Sequence, residues 1–156
     1  MSESDALTLM SEGLAFVQAG NFALAEDSYA SALESAQATM GEAHPMTASL
    51  IGHLARAVLA QDGKAEFAVS LLERQVYMYE NDVSLQGLVP ERLTALQELA
   101  GALDLVPGRS DDAVAASQKA ASLMEQLQNI RDGGVLSKEQ QEAEEGGAVG
   151  GAVGGD

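Results

Sequence analysis

The chain has no cysteine, no tryptophan and only three prolines, and its 156 residues include 8 Lys and Arg against 24 Asp and Glu. Without cysteine it has no disulfide, no thiolate nucleophile and no cysteine-ligated zinc or iron–sulfur site. Its formal net charge of −16 is the opposite of the basic face that binds nucleic-acid phosphates or an anionic membrane surface. We therefore expect no nucleic-acid partner and no attachment to an acidic membrane.

Long apolar runs are also missing. No uninterrupted apolar stretch approaches the roughly 18 residues of a membrane span, and the first five residues are acidic where a secretory signal is basic. From these two features we expect no membrane insertion and a cytoplasmic location.

Aromatic residues make up only 4% of the chain, while hydrophobic residues of all kinds make up 46%. The core must therefore consist mainly of Ala, Leu, Val and Met. Such side chains suit closely packed helices, whereas sheets favour aromatic and β-branched residues. The composition predicts one all-α domain.

Apolar residues recur at steps of three and four over most of the chain, as at Leu7, Met10 and Leu14, which is typical of one face of a helix. Glycine and proline interrupt this pattern and divide it into six helices. Gly41 is placed to end the second helix in a left-handed cap, and Pro45 suits the first turn of the third. The predicted helix hairpins span residues 4–41, 45–82 and 90–131.

The hairpins share a common register. Aligning Pro45 with Pro90 gives an offset of 45 residues, which also places Gly63 on Gly108, and Gly20 lies 43 residues before Gly63. Recurrence at a fixed spacing indicates a stacked repeat array.

Residues at these positions resemble the tetratricopeptide repeat, whose pattern is Trp-x2-Leu-Gly-x2-Tyr, then Ala-x3-Phe, then Pro. The period exceeds the family's usual ~34 residues, and together with the segment from Gly41 to Pro45 it is similar to the kinesin light chain type. Gln75 stands where the family has a small residue. The matching positions, hairpin by hairpin, are Leu9, Gly13, Phe16, Gly20, Phe22, Ala25, Tyr29 and Ala32; Ile51, Leu54, Ala55, Val58, Gly63 and Ala68; and Leu96, Leu99, Ala100, Leu103, Gly108, Ala113 and Ala120.

This resemblance implies a right-handed α-solenoid of three hairpins, whose concave face is lined by the first helix of each pair and binds another protein. Proteins of this kind act as scaffolds, adaptors or chaperones and are not enzymes. On the family pattern, the groove residues would be Leu7, Met10, Ser11, Leu14, Val17, Ser49, Gly52, His53, Arg56, Thr94, Gln97, Glu98, Gly101 and Asp104.

One end of this predicted groove is apolar and the other is polar. Relatives that clamp carboxylates use several cations, whereas Arg56 is the single cation here, so a carboxylate clamp is disfavoured. Residues 131–156 hold two cations and six anions, so −12 of the −16 belongs to the rest of the chain. We expect a neutral or basic partner segment with an apolar anchor for the first helix and a basic side chain for Glu98 and Asp104.

Two alternatives stay open. In the first, the apolar groove residues pack against the protein's own N-terminal residues, a neighbouring copy or a capping element. In the second, the protein is a structural subunit of a larger complex or homo-oligomer that uses its convex and terminal surfaces.

Catalytic, metal-binding and cofactor-binding patterns are not evident. His44 and His53 are the only histidines; His44 is expected to cap or pack the loop before Pro45, and neither belongs to a catalytic constellation. The glycines from Gly146 onward follow no strand and open no helix, unlike a dinucleotide-binding motif. We expect no enzymatic activity, no metal and no cofactor.

The C-terminal segment changes in composition. Gly133-Gly134 is expected to end the sixth helix, and residues 135–145 are expected to form a short polar helix that caps the array. Residues 146–156 are expected to form a flexible Gly-rich tail.

Overall fold

The protein is all-α in the computed structural model, which describes the backbone of residues 2–153 and the side chains of residues 2–133. The all-α prediction is confirmed over this part of the chain. The six helices of the described residues are α1 Glu3–Gln18, α2 Phe22–Met40, α3 Pro45–Leu59, α4 Ala65–Asn81, α5 Val89–Leu103 and α6 Ser110–Val153.

The chain forms two compact units, Met1–Ala120 and Ala121–Asp156. In the first unit, consecutive helices pack in chain order from α1 through α5, and α6 begins. Over the residues that the structure describes, the second unit is the continuation of α6. The boundary therefore falls inside α6, whereas the sequence predicts a repeat domain that extends to residue 131.

Helix α6 does not end at Gly133-Gly134, which differs from the predicted stop and from the predicted separate helix at 135–145. Gly133 does not have the positive φ of a glycine cap, and no proline follows it. A glycine inside a helix costs only about 1 kcal/mol relative to alanine, which is too little to end it. The predicted flexible tail at 146–156 falls partly within α6; residues 154–156 and all side chains after Gly133 lie outside the described residues.

Side-chain caps explain where two of the helices begin. The Asn21 side chain accepts a hydrogen bond from the Leu24 N–H at 3.3 Å, at the start of α2. At the start of α3, His44 Nδ1 accepts from the Met46 N–H at 3.0 Å. The predicted capping role of His44 is confirmed, and Pro45 follows it at the position where a missing N–H costs nothing.

The turn inside each hairpin contains a glycine with positive φ. Gly20, Gly63 and Gly108 have φ of 75°, 76° and 83°, so the three positions aligned in the sequence share a similar positive φ. Gly41 has φ 92° and ψ 169°. Its φ is positive as predicted, but its ψ is far from the roughly +47° of the left-handed helical conformation, so the prediction of a left-handed cap is wrong. The chain leaves α2 in an extended direction that glycine alone adopts readily, and the Gly41 carbonyl accepts a 2.7 Å hydrogen bond from Thr47.

Small residues let the helices approach closely. The ring of Tyr29 fills the space beside Gly13, where an added Cβ would lie 2.6 Å from Cε1 of the ring. Six small residues at the positions that match the repeat pattern are all buried: Gly13, Ala25, Ala55, Ala68, Ala100 and Ala113.

Cations connect separate parts of the first unit. Of the six Lys and Arg residues in the first 130, five pair with a carboxylate on another helix or loop. Exposed ion pairs contribute only about 0–1 kcal/mol each, so burial of the apolar core contributes most of the stability. The pairs are Arg56–Glu98, Lys64–Glu26, Arg74–Glu42, Arg109–Glu73 and Lys119–Glu80.

We predict that Gly13→Ala lowers the free energy of unfolding by about 1–3 kcal/mol, because the new methyl group overpacks against Tyr29. Gly101→Ala is the matched control, since Gly101 lies within α5 and an added Cβ there meets nothing within 4 Å. That variant should gain about 0.5–1 kcal/mol from helix propensity. Urea unfolding of both variants measures the difference, and equal effects would contradict the close Gly13–Tyr29 contact.

Candidate functional site

An apolar cavity of about 290 Å³ opens between α1, α2 and α3. Leu14 stands at its edge with 49% of its surface exposed. The cavity is accessible to an apolar group from outside the chain, because no described residue covers Leu14 fully. The residues lining this apolar cavity are Leu14, Val17, Phe22, Tyr29, His53, Arg56 and Ala57.

Tyr29 forms part of the wall of the apolar cavity because α1 has a glycine opposite its ring. The absence of a side chain at Gly13 lets the Tyr29 ring reach the space between the helices. The Tyr29 ring also stacks on His53 of α3, with ring centroids 5.3 Å apart and planes inclined by 25°. Stacked rings of this kind fix the position of the imidazole.

His53 in turn contacts Arg56, which connects α3 to α5. Arg56 Nη1 donates to both carboxylate oxygens of Glu98, at 2.8 and 3.0 Å, and Nη2 lies 3.0 Å from His53 Nδ1. Because a guanidinium only donates, Nδ1 accepts and the neutral imidazole carries its proton on Nε2. Burial, and then the charge of Arg56, lower the pKa of His53 below its ordinary value.

A second, polar cavity of about 180 Å³ lies between α3, α4 and α5. Arg56 borders both cavities, so they are neighbours on the same side of α3. The residues lining the polar cavity are Ser49, Arg56, Gln75, Tyr79, Glu91, Thr94, Ala95 and Glu98.

Gln75 is the least expected residue of the polar cavity. Its side chain has 6% exposure, and Nε2 donates to the Ala48 carbonyl at 3.0 Å. Gly52 makes room for it, since an added Cβ there would lie 2.6 Å from Nε2. Among the described residues, Gln75 Oε1 has no hydrogen-bond donor, and a buried acceptor left unpaired costs roughly 1–3 kcal/mol.

Tyr79 lies beside Gln75 and is almost fully buried, with 3% exposure. Burial and the carboxylate of Glu91 raise the pKa of the Tyr79 phenol, while the neighbouring Gln75 side chain and Arg56 act in the opposite direction. The phenol is nevertheless not placed to form a hydrogen bond of acceptable geometry with Oε1. The negative charge of Glu91 thus acts inside the cavity even though the residue itself is exposed.

The two cavities bring together part of the predicted groove. Leu14, Val17 and His53 line the apolar cavity, Ser49, Thr94 and Glu98 line the polar one, and Arg56 lines both. The remaining predicted groove residues line neither of these cavities: Leu7, Met10, Ser11, Gly52, Gln97, Gly101 and Asp104.

Glu98 and Asp104, the two residues expected to meet a basic side chain of the partner, do not line the same cavity. Both oxygens of Glu98 already accept from Arg56. Asp104 is the C-terminal cap of α5 and lies outside both cavities. The sequence pattern gives no indication that Arg56 forms an ion pair with Glu98, the carboxylate expected to bind the partner.

Four of the cavity residues that the prediction missed lie on α2 or α4, outside the first helices to which it was restricted. The seven missed residues are Phe22, Tyr29, Ala57, Gln75, Tyr79, Glu91 and Ala95. For Gln75 a signal was present in the sequence. Gln75 of α4 is a large polar residue where the family has a small one. The facing helix α3 has a glycine at Gly52, which leaves room for the Gln75 side chain.

In the part of the chain that the structure describes, acidic and histidine side chains form no group of three or more suited to hold a metal. Within the same residues, none of the helices combines the length and the apolar character needed to cross a bilayer.

We predict that His53 makes stability dependent on pH near neutrality. Since its pKa is lower in the folded state than the ordinary 6.5, the unfolded chain binds the proton more strongly. Stability is therefore full above about pH 6.5 and is lost as pH falls through the lowered folded-state value. Tyr29 of α2 and Arg56 of α3 are the titratable groups that face the ring.

Urea unfolding of the native chain and of His53→Phe, at about pH 7.5 and about pH 5.5 on either side of the reference value, isolates this contribution. Phenylalanine keeps the stack on Tyr29, and carboxylates titrate alike in both proteins. The native chain should lose more stability than the variant between the two pH values; an equal loss would contradict the assignment.

Comparison of the chain with protein-family models, with curated proteins and with solved structures gave no match. The two cavities and the residues that line them are therefore the basis for assigning a function.

Proposed function

We propose that the protein is an interaction scaffold or adaptor that binds a segment of a partner protein across the face carrying the two cavities. The observation that carries the proposal is the apolar cavity beneath the half-exposed Leu14, directly beside a polar cavity that shares Arg56. An apolar pocket with a few convergent polar groups is the usual form of a binding site.

We also propose that the helices are arranged as a right-handed α-solenoid of the tetratricopeptide type. Three features support this arrangement: the shared φ of the turn glycines Gly20, Gly63 and Gly108, the buried small residues between helices, and the packing of consecutive helices. In such an array α1, α3 and α5 would form the concave face, and these helices contribute most of the residues of both cavities.

The proposed partner segment is neutral or basic and carries an apolar anchor side chain. The anchor would enter the apolar cavity and cover Leu14 and Val17. The charge of −12 in residues 1–130 favours association with a basic segment, and charge complementarity of this kind acts mainly on association rate and selectivity. Binding rather than catalysis is the proposed role, with no cofactor.

The second candidate is a structural subunit that assembles through the outer helices. Leu24 of α2 and Phe67 of α4 are 43% and 47% exposed, and they are separated by the same 43 residues as Gly20 and Gly63. Apolar side chains repeated at equivalent exposed positions favour contact with another copy or another subunit.

Matched variants on the two faces distinguish the candidates. Leu14→Asp should reduce capture of a crosslinked partner about tenfold or more, because an anchor residue in a small pocket contributes much of the binding energy. Leu24→Asp, which changes a leucine of similar exposure on α2, should leave capture within about twofold, as expected for a residue outside the interface. Quantitative affinity capture with crosslink mapping measures both.

The same variants test the structural-subunit candidate. If Leu24→Asp or Phe67→Asp converts an oligomer to a monomer in size measurements while Leu14→Asp has no effect on capture, the outer face is the interface and the proposed adaptor role is wrong. Crosslinks confined to α2 and α4 would also reject the adaptor role.

A further inference from the structure

The polar cavity contains an acceptor that the described part of the chain leaves without a donor. Gln75 Oε1 belongs to a side chain more than nine-tenths buried, and it has no hydrogen-bond partner. The carboxamide orientation is fixed, because the reverse orientation would place Oε1, an acceptor, against the Ala48 carbonyl oxygen to which Nε2 donates at 3.0 Å. Gln75 lines the cavity, but Oε1 itself is fully buried, so a donor that enters the cavity reaches Oε1 through a small shift of the surrounding side chains.

Other oxygens around the cavity are also acceptors. Thr94 Oγ1 donates to the Pro90 carbonyl at 3.1 Å, which leaves its own lone pairs free to accept. Ser49 supplies another hydroxyl, and Glu91 brings a carboxylate at the first turn of α5. A cavity so rich in acceptors is complementary to a group that only donates.

The charge balance of the cavity favours a cation. Arg56 is bound through both oxygens of Glu98, so these two charges cancel locally. The carboxylate of Glu91 is then the remaining charge among the residues that line the cavity. Its effect on the Tyr79 phenol, described above, indicates that its field reaches the buried end of the cavity.

We propose that the polar cavity binds the ammonium group of a lysine in the partner segment, with Gln75 Oε1 and the Glu91 carboxylate as its principal acceptors. This assignment rests on the proposed function, since it names the basic residue that accompanies the apolar anchor. It replaces Glu98 and Asp104 as the site for that residue.

Lysine fits this cavity better than arginine does. A guanidinium is planar and is best recognised by a carboxylate that accepts two parallel hydrogen bonds. The carboxylate in that geometry, Glu98, is already bound to Arg56. Separate oxygens distributed around a space of about 180 Å³ suit a compact ammonium with three donors.

An NMR titration of the full chain with n-butylammonium tests the site without a partner protein. The backbone amides of Ser49 and Thr94 and the side-chain amide of Gln75 should shift in a saturable way. Butylguanidinium and sodium, at matched ionic strength, should bind at least about threefold more weakly, as expected when hydrogen-bond geometry and not charge alone decides.

Two variants and one matched control identify the acceptors. Glu91→Gln should weaken n-butylammonium binding roughly two- to fivefold, the range expected for an exposed charge. Glu66→Gln is the control, because Glu66 occupies the first turn of α4 as Glu91 does in α5 and lines neither cavity; its affinity should stay unchanged. Gln75→Met, similar in shape but without the acceptor, should weaken binding about tenfold, with circular dichroism as a check on folding.

Each outcome decides the proposal. Shifts that do not saturate, equal binding of sodium or butylguanidinium, or equal effects of Glu91→Gln and Glu66→Gln would overturn the lysine site. If Gln75→Met does not fold, the Glu91 and Glu66 pair still decides. Failure of this titration while crosslinks still fall on α1 and α3 rejects the lysine site alone, whereas saturable n-butylammonium binding without groove crosslinks rejects the adaptor function.

Discussion

The contact between Gly13 and the ring of Tyr29 is the constraint on which the candidate site depends. Because Gly13 has no side chain, the ring fits between α1 and α2 and reaches His53. His53 then accepts from Arg56, and Arg56 binds Glu98. Four helices are thus connected through five residue positions, and the wall of the apolar cavity is set by contacts that begin at Gly13.

The second hairpin uses the same device with a different result. Gly52 makes room for a large side chain from the next helix, as Gly13 does, but the side chain is Gln75 and not an aromatic ring. One glycine therefore leads to an apolar cavity and the other to a polar cavity with an unpaired acceptor. The chemical character of each cavity follows from the residue that fills the space opposite its glycine.

The helices are predictable from the sequence because caps and turns depend on residues close together in the chain. The site is only partly predictable because it depends on contacts between residues that are far apart in the chain. Caps such as Asn21 and His44 and the turn glycines act within a few residues, so the sequence indicates them directly. Glu98 lines the polar cavity, yet its ion pair with Arg56 depends on a contact across 42 residues, which local sequence patterns do not indicate. Gln75 belongs to the second helix of a hairpin, which a prediction restricted to first-helix faces omits.

The packing of consecutive helices has a consequence for local unfolding. Helix α1 packs mainly against α2, and the hydrogen bond from Ser35 to the Ser2 carbonyl, at 3.3 Å, holds its first turn. Among the residues of α1, only Ala6 and Gly13 are buried, and a segment with few buried contacts opens at lower free energy than the interior of a domain. Opening of α1 would remove Leu14 and Val17 from the apolar cavity while α3, α4 and α5 still enclosed the polar one. Amide hydrogens should therefore exchange sooner around the apolar cavity, and an anchor side chain bound there would slow that exchange.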